Sequence, residues 1–103
     1  MLKSYPPVTP APGVTRQVLS EAPEMMVVAF TFEAGAEGAP HSHPHVQATF
    51  VESGRFRFTV GGDSFEVGAG DSFVIPGDVE HGCRCFEPGR LIDTFAPRRD
   101  DFL

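Results

Sequence analysis

The sequence predicts an all-β domain, a closed or nearly closed antiparallel barrel, and three observations carry that expectation. No stretch of ten or more residues shows an apolar period of 3.6. From Arg55 to Val60 the alternation is unbroken, with Phe56, Phe58 and Val60 opposite Arg55, Arg57 and Thr59, as on a half-buried strand. Ten Pro and eleven Gly are spread along the chain, cutting it into the short, turn-joined segments that such barrels use. At 103 residues and 41% hydrophobic, ten of them Phe, there is material for one core and one domain.

Residues 1–13 hold Pro6, Pro7, Pro10 and Pro12 and are expected as an extended arm, because proline donates no ladder hydrogen bond. The barrel is expected over residues 14–103. Val14 to Leu19 reads as the first strand, broken by Glu21-Ala22-Pro23-Glu24. Met25 to Glu33 reads as the second, with Met26, Val28, Phe30 and Phe32 on one face. Gly35 to Pro40 is expected as a loop leading into His41-Ser42-His43-Pro44-His45-Val46-Gln47. The strand continues to Val51 and a turn at Ser53-Gly54. Gly61-Gly62-Asp63 is a hairpin signal after Val60. Ser64 to Val67, Ser72 to Ile75, His81 to Phe86 and Arg90 to Phe95 complete the series, the last two separated by Glu87-Pro88-Gly89.

The net charge of −6, with seven of eight basic residues Arg, leaves no basic stripe and argues against nucleic acid. No run approaches the ~20 apolar residues of a membrane span, and the first residues lack the apolar core of a signal peptide. A cytoplasmic protein is expected. Cys83 and Cys85, two apart on one strand, have parallel Cβ vectors and read as free thiols.

Three of the four histidines stand at 41, 43 and 45, with Gln47 two residues on. On one extended strand these four side chains share a face, and imidazole is the commonest metal ligand near neutral pH. Parity alone does not separate His45 from Gln47 as a fourth ligand. Leu91, Asp93 and Phe95 share another face, so Asp93 is a carboxylate among apolar neighbours, either ion-paired or functional. Arg98 and Arg99 alternate, so one of them faces the same way as Phe95, and Pro97 blurs which.

Gly35-x5-His41-x-His43-x3-Gln47-x6-Gly54 and Gly70-x5-Pro76-x4-His81 resemble the two signatures of the cupins. The resemblance implies a small single-domain jelly-roll β-barrel holding one divalent metal through His41, His43, Gln47 and His81. Gln47 stands where most cupins have Glu, Asp78 where the second signature usually has Gly, and Cys85 where Asn is common. An amide in place of Glu leaves the ion its full double charge, which favours Lewis-acid chemistry over oxygen activation. The run from Leu91 to Leu103, with Asp93-Thr94-Phe95, Pro97, Arg98-Arg99, Asp100-Asp101 and Phe102-Leu103, resembles the ending of KdgF-type cupins. Those proteins convert 4,5-unsaturated uronate monosaccharides to linear keto-deoxy sugar acids.

By this resemblance Asp93, Phe95 and Arg99 are the catalytic residues. Asp93 is expected to move a proton at C4, Arg99 to grip an anionic oxygen of a small sugar acid, and Phe95 to pack against the sugar or Asp93. The cofactor is expected to be a divalent transition metal among Fe, Ni, Mn, Zn and Cu. A cupin dioxygenase with iron at the same ligands, and a non-catalytic metal- or sugar-binding cupin, are the alternatives. A homodimer is expected, because a barrel this small has edges and an apolar strand to cover.

Overall fold

The computed structural model describes residues 2–103. Among them, eight strands form one antiparallel sheet that curls over on itself: β1 (Val8–Ala11), β2 (Val14–Ala22), β3 (Met25–Phe32), β4 (Glu37–His41), β5 (Val46–Val60), β6 (Asp63–Gly68), β7 (Ser72–Ile75) and β8 (His81–Ala96). A 3-10 turn at Asp100–Phe102 follows. This is the all-β jelly roll that the sequence predicts.

The two long strands β5 and β8 run antiparallel over their whole length, from Val46 opposite Ala96 to Val60 opposite His81. β3 and β7 flank one half of this pair, β4 and β6 the other. The halves meet where the register slips between Val51 and Phe56. Gly54 there has φ 85°, and a Cβ on it would lie 2.6 Å from the Glu87 carbonyl oxygen. A Cβ on Gly89 would lie 2.1 Å from the Ser53 carbonyl oxygen. Two glycines thus let the backbones touch, and the sheet folds along that line.

This corrects two expected turns. Ser53-Gly54 and Glu87-Pro88-Gly89 are bends inside continuous strands, because ladder partners exist on both sides of each. The slip also changes parity: the inward row of β5 is Gln47, Thr49 and Val51 before the fold line, then Phe56 and Phe58 after it. A third correction is β4, which occupies the expected Gly35–Pro40 loop. Its sequence lacks alternation and β-branched residues, and its pairing is imposed by β8, with Glu37 opposite Arg84 and Gly38 opposite Cys83.

The arm residues Val8–Ala11 pair with β2 at the sheet edge, a position that tolerates Pro10. Tyr5 donates its hydroxyl to Glu21, and the Gln17 amide donates to the Tyr5 carbonyl. The predicted inward face of β3 holds: Met26, Val28 and Phe32 are buried. Val14, Phe32, Val51, Phe56, Phe58, Val67, Cys85 and Leu91 form the core beside the fold line, and Val18, Met26, Val28 and Phe95 a second cluster. Both cysteines are free; burial pushes the Cys83 thiol up to about 12, so it packs as a small apolar group.

Candidate metal centre

The strand ends opposite the fold line carry the polar inward residues. His41 ends β4, His81 begins β8, and the two are register partners. His43 lies between β4 and β5, and Gln47 is the second residue of β5. One ligand atom from each of His41, His43 and His81 lies within 4.8 Å of the others, close enough for one ion. The Gln47 amide oxygen lies 3.1 Å from His43 Nε2.

The expectation that positions 41 to 47 share one strand face is corrected. The chain leaves extended structure between His41 and Val46, where Pro44 cannot donate to a ladder. The bend takes the His45 ring out of the cluster. What His45 contributes is its carbonyl, which accepts from His43 Nδ1 at 3.0 Å; its own Nδ1 has no protein partner. Asp78 supplies a second tie, donating its N–H to the His43 carbonyl at 2.8 Å. Asp78 has φ 66°, the left-handed conformation that Asp tolerates better than most residues. A Cβ on neighbouring Gly77 would lie 2.5 Å from the Pro44 carbonyl oxygen. The two separated motifs therefore meet backbone to backbone.

Hydrogen bonding sets the tautomers. The Nδ1 atoms of His41, His43 and His81 face the carbonyls of Ala39, His45 and Val79 at 2.8, 3.0 and 2.9 Å. A carbonyl only accepts, so each Nδ1 carries the proton and each Nε2 keeps its lone pair. His81 Nε2 is buried without a protein partner. Burial holds both His43 and His81 below the usual imidazole range, with the Arg99 charge assisting at His43, so the rings are neutral. Neutral His43 then points a lone pair at the Gln47 oxygen, acceptor against acceptor, and a cation between them resolves that contact. The donor set fits a divalent transition metal.

Behind the donors runs a short chain of hydrogen bonds. Gln47 Nε2 donates to Thr49 Oγ1 at 3.0 Å, and Thr49 donates to Asp93 Oδ1 at 2.6 Å. The amide nitrogen is thereby held away from the imidazoles and the oxygen towards them. Asp93 is buried, and burial raises its carboxyl to about 7, against the opposing pull of Thr49, Gln47 and Arg99.

The sequence left Arg98 and Arg99 unresolved. Arg98 turns out to Glu21 and Asp100, whereas Arg99 is buried and borders the cavity. Arg99 donates through Nε and an Nη to both carboxylate oxygens of Asp101 and lies 5.0 Å from the Phe95 ring centre and 4.2 Å from that of Phe102. Phe95 meets His43 edge-on, centroids 5.6 Å apart. The cavity bounded by these groups measures about 220 Å³, with Phe32, Phe58 and Leu91 also lining it. Six of the seven residues singled out from the sequence, His41, Gln47, His81, Asp93, Phe95 and Arg99, thus line one space, and His43 meets it through Gln47 and the other two imidazoles.

Three others were missed. Thr49 is two residues beyond Gln47 and shares its parity, so alternation alone could have found it. Arg16 stands between Val14 and Val18 in the inward row of β2, a cation in an apolar row. Phe102 reaches the cavity from the terminal turn, and no periodicity marks it.

Comparison with known proteins agrees with this geometry. The family model described as "Cupin domain" matches residues 28–95. The pectin degradation protein KdgF of Dickeya dadantii (strain 3937) is 36% identical over 93 residues, 88% of this chain and 84% of that one. The structure of KdgF from Halomonas sp. superposes with a TM-score of 0.91 at 37% identity, covering 96% of this chain and 92% of that one. A RmlC-like cupin from Shewanella frigidimarina superposes with a TM-score of 0.92 at 41% identity, covering 96% and 89%. The chain belongs to the cupin family and, within it, to the KdgF type.

Proposed function

We propose that this protein converts 4,5-unsaturated uronate monosaccharides, such as unsaturated galacturonate, to the linear keto-deoxyuronate, with a divalent transition metal at His41, His43, Gln47 and His81. The observation that carries this reading is the buried Asp93, joined through Thr49 to Gln47 on the wall of a small cavity. A relative named for pectin degradation supports the substrate class. At about 220 Å³ the cavity is below the ~300–1,000 Å³ usual for drug-sized ligands, which suits one sugar ring and not an oligosaccharide.

When bound, the metal supplies Lewis acidity undiminished by ligand charge, since all four donors are neutral. Asp93, whose carboxyl burial raises, delivers a proton to C4 of the enol ether. Water adds at C5, the C5–ring oxygen bond breaks, and the hydrated C1 aldehyde loses water, so the net change is an isomerisation. Thr49 fixes the Asp93 carboxylate that remains. Phe95 lines the cavity against His43, and Arg99 lends positive charge to the cavity wall.

The test is loss of the conjugated chromophore when metal-reconstituted protein meets unsaturated galacturonate. Asp93→Asn should lower turnover by ~10²–10⁴-fold at unchanged metal content; full activity would remove Asp93 from the reaction. Turnover should be equal in air and under argon, and an oxygen requirement would move the protein to the dioxygenases. A metal-loaded protein inert towards unsaturated uronates would be a binding module instead.

Val46, Phe50 and Val74 are exposed on adjacent strands of the outer face, apolar surface that supports a homodimer. A monomer by sedimentation at every concentration would oppose it. The two free thiols support a reducing, cytoplasmic compartment, and recovery from a secreted fraction would argue otherwise.

A further inference from the structure

Arg16 is a charged residue where the barrel pattern calls for an apolar one. It sits in the inward row of β2 between the buried Val14 and Val18, opposite Phe30. It borders the same cavity as His41, Gln47, Asp93 and Arg99. Its guanidinium carbon lies 4.1 Å from the Phe102 ring centre, and that of Arg99 lies 4.2 Å from the same ring. Phe102 thus contacts both guanidinium groups in the cavity wall.

The two cations are differently engaged. Arg99 spends its fork on the Asp101 carboxylate. Among the described residues, no carboxylate lies within 4.0 Å of Arg16. A half-buried guanidinium held in place by an aromatic ring, with its donors uncommitted, is built to receive a planar anion from the cavity by paired hydrogen bonds. The desolvation it suffers is offset when that anion arrives.

We infer that Arg16 is the residue that binds the carboxylate of the sugar acid, and that Arg99, paired with Asp101, positions it through Phe102. This rests on the proposed reaction for its substrate and assigns a contact that the family motifs do not mark. It also sets selectivity: a neutral sugar of the same size lacks the charged, paired contact with Arg16.

Steady-state kinetics on metal-loaded Arg16→Gln and Arg16→Lys test the assignment. Arg16→Gln should raise KM for unsaturated galacturonate by ~10–100-fold, with kcat within about threefold of the parent and equal metal content. Arg16→Lys, which keeps the charge and loses the fork, should fall between. A KM within about twofold of the parent in folded Arg16→Gln overturns the inference. Should the parent protein not turn over unsaturated uronates, the proposed reaction fails by itself, and calorimetric titration with galacturonate and with galactose judges Arg16. A preference of ~10-fold or more for galacturonate that disappears in Arg16→Gln upholds the assignment. No preference, or one that survives the substitution, overturns it.

Discussion

The fold line and the strand ends are built from the same two strands with opposite chemistry. At the fold line the inward residues of β5 and β8 are Val51, Phe56, Cys85 and Leu91, all at most 2% exposed. At the strand ends the same rows carry Gln47, Thr49, His81 and Asp93, also nearly buried. The first set stabilises by burial alone. The second removes polar groups from water, which costs free energy unless each finds a partner, and some of the partners, the lone pairs of His43 and His81, are left for a ligand. One barrel therefore divides into an end that holds the chain together and an end held together by the other.

The sharpest way to break this comparison is at the fold line. Phe56→Ala should cost about 3–5 kcal/mol, measured by urea unfolding, while the folded fraction still binds metal in the parent stoichiometry. Loss of metal from the folded fraction would show that the two ends are coupled.

Next comes Asp93→Asn in metal-free protein. Because burial raises the folded carboxyl to about 7 above an unfolded value near 3.9, its stabilising contribution is complete below pH 4. It is lost as pH rises through 7. The variant should therefore match the parent in unfolding free energy at pH 4 and exceed it at pH 8, by a margin on the order of a few kcal/mol. A variant less stable at pH 8 would mean that the ionised carboxylate is stabilised by its partners.

The smallest effect is Thr49→Val, which keeps the shape and removes the link between Gln47 and Asp93. Metal affinity by chelator competition should fall about 10–100-fold, with stability changed by about 1 kcal/mol. Unaltered affinity would mean that the Gln47 oxygen needs no orienting partner.

Much of this division was legible in the sequence. Alternation placed the inward faces of β3 and of Phe56 to Val60, since parity needs only local backbone geometry. Motif spacing brought His41, His43, Gln47 and His81 to one point although forty residues separate the first from the last. What stayed hidden depends on tertiary partners. Gly54 and Gly89 look like turn residues until the strands are seen to touch there. β4 has no pattern of its own and is a strand because Cys83 and Arg84 lie beside it. Arg16 lies on a strand outside both motifs, and only the cavity shows where its guanidinium goes.

Because β3, β4 and β5 all pair with β8, a ribosome emits all three before the strand that unites them, with β3 paired only to β2 and β4 to none. Until β8 has emerged, the edge of β3 away from β2, with Met26, Val28 and Phe32 on its inward face, has no neighbour. A chain lacking β8 therefore exposes an unpaired strand edge and an uncovered apolar face, and completion of the barrel has to follow synthesis of β8.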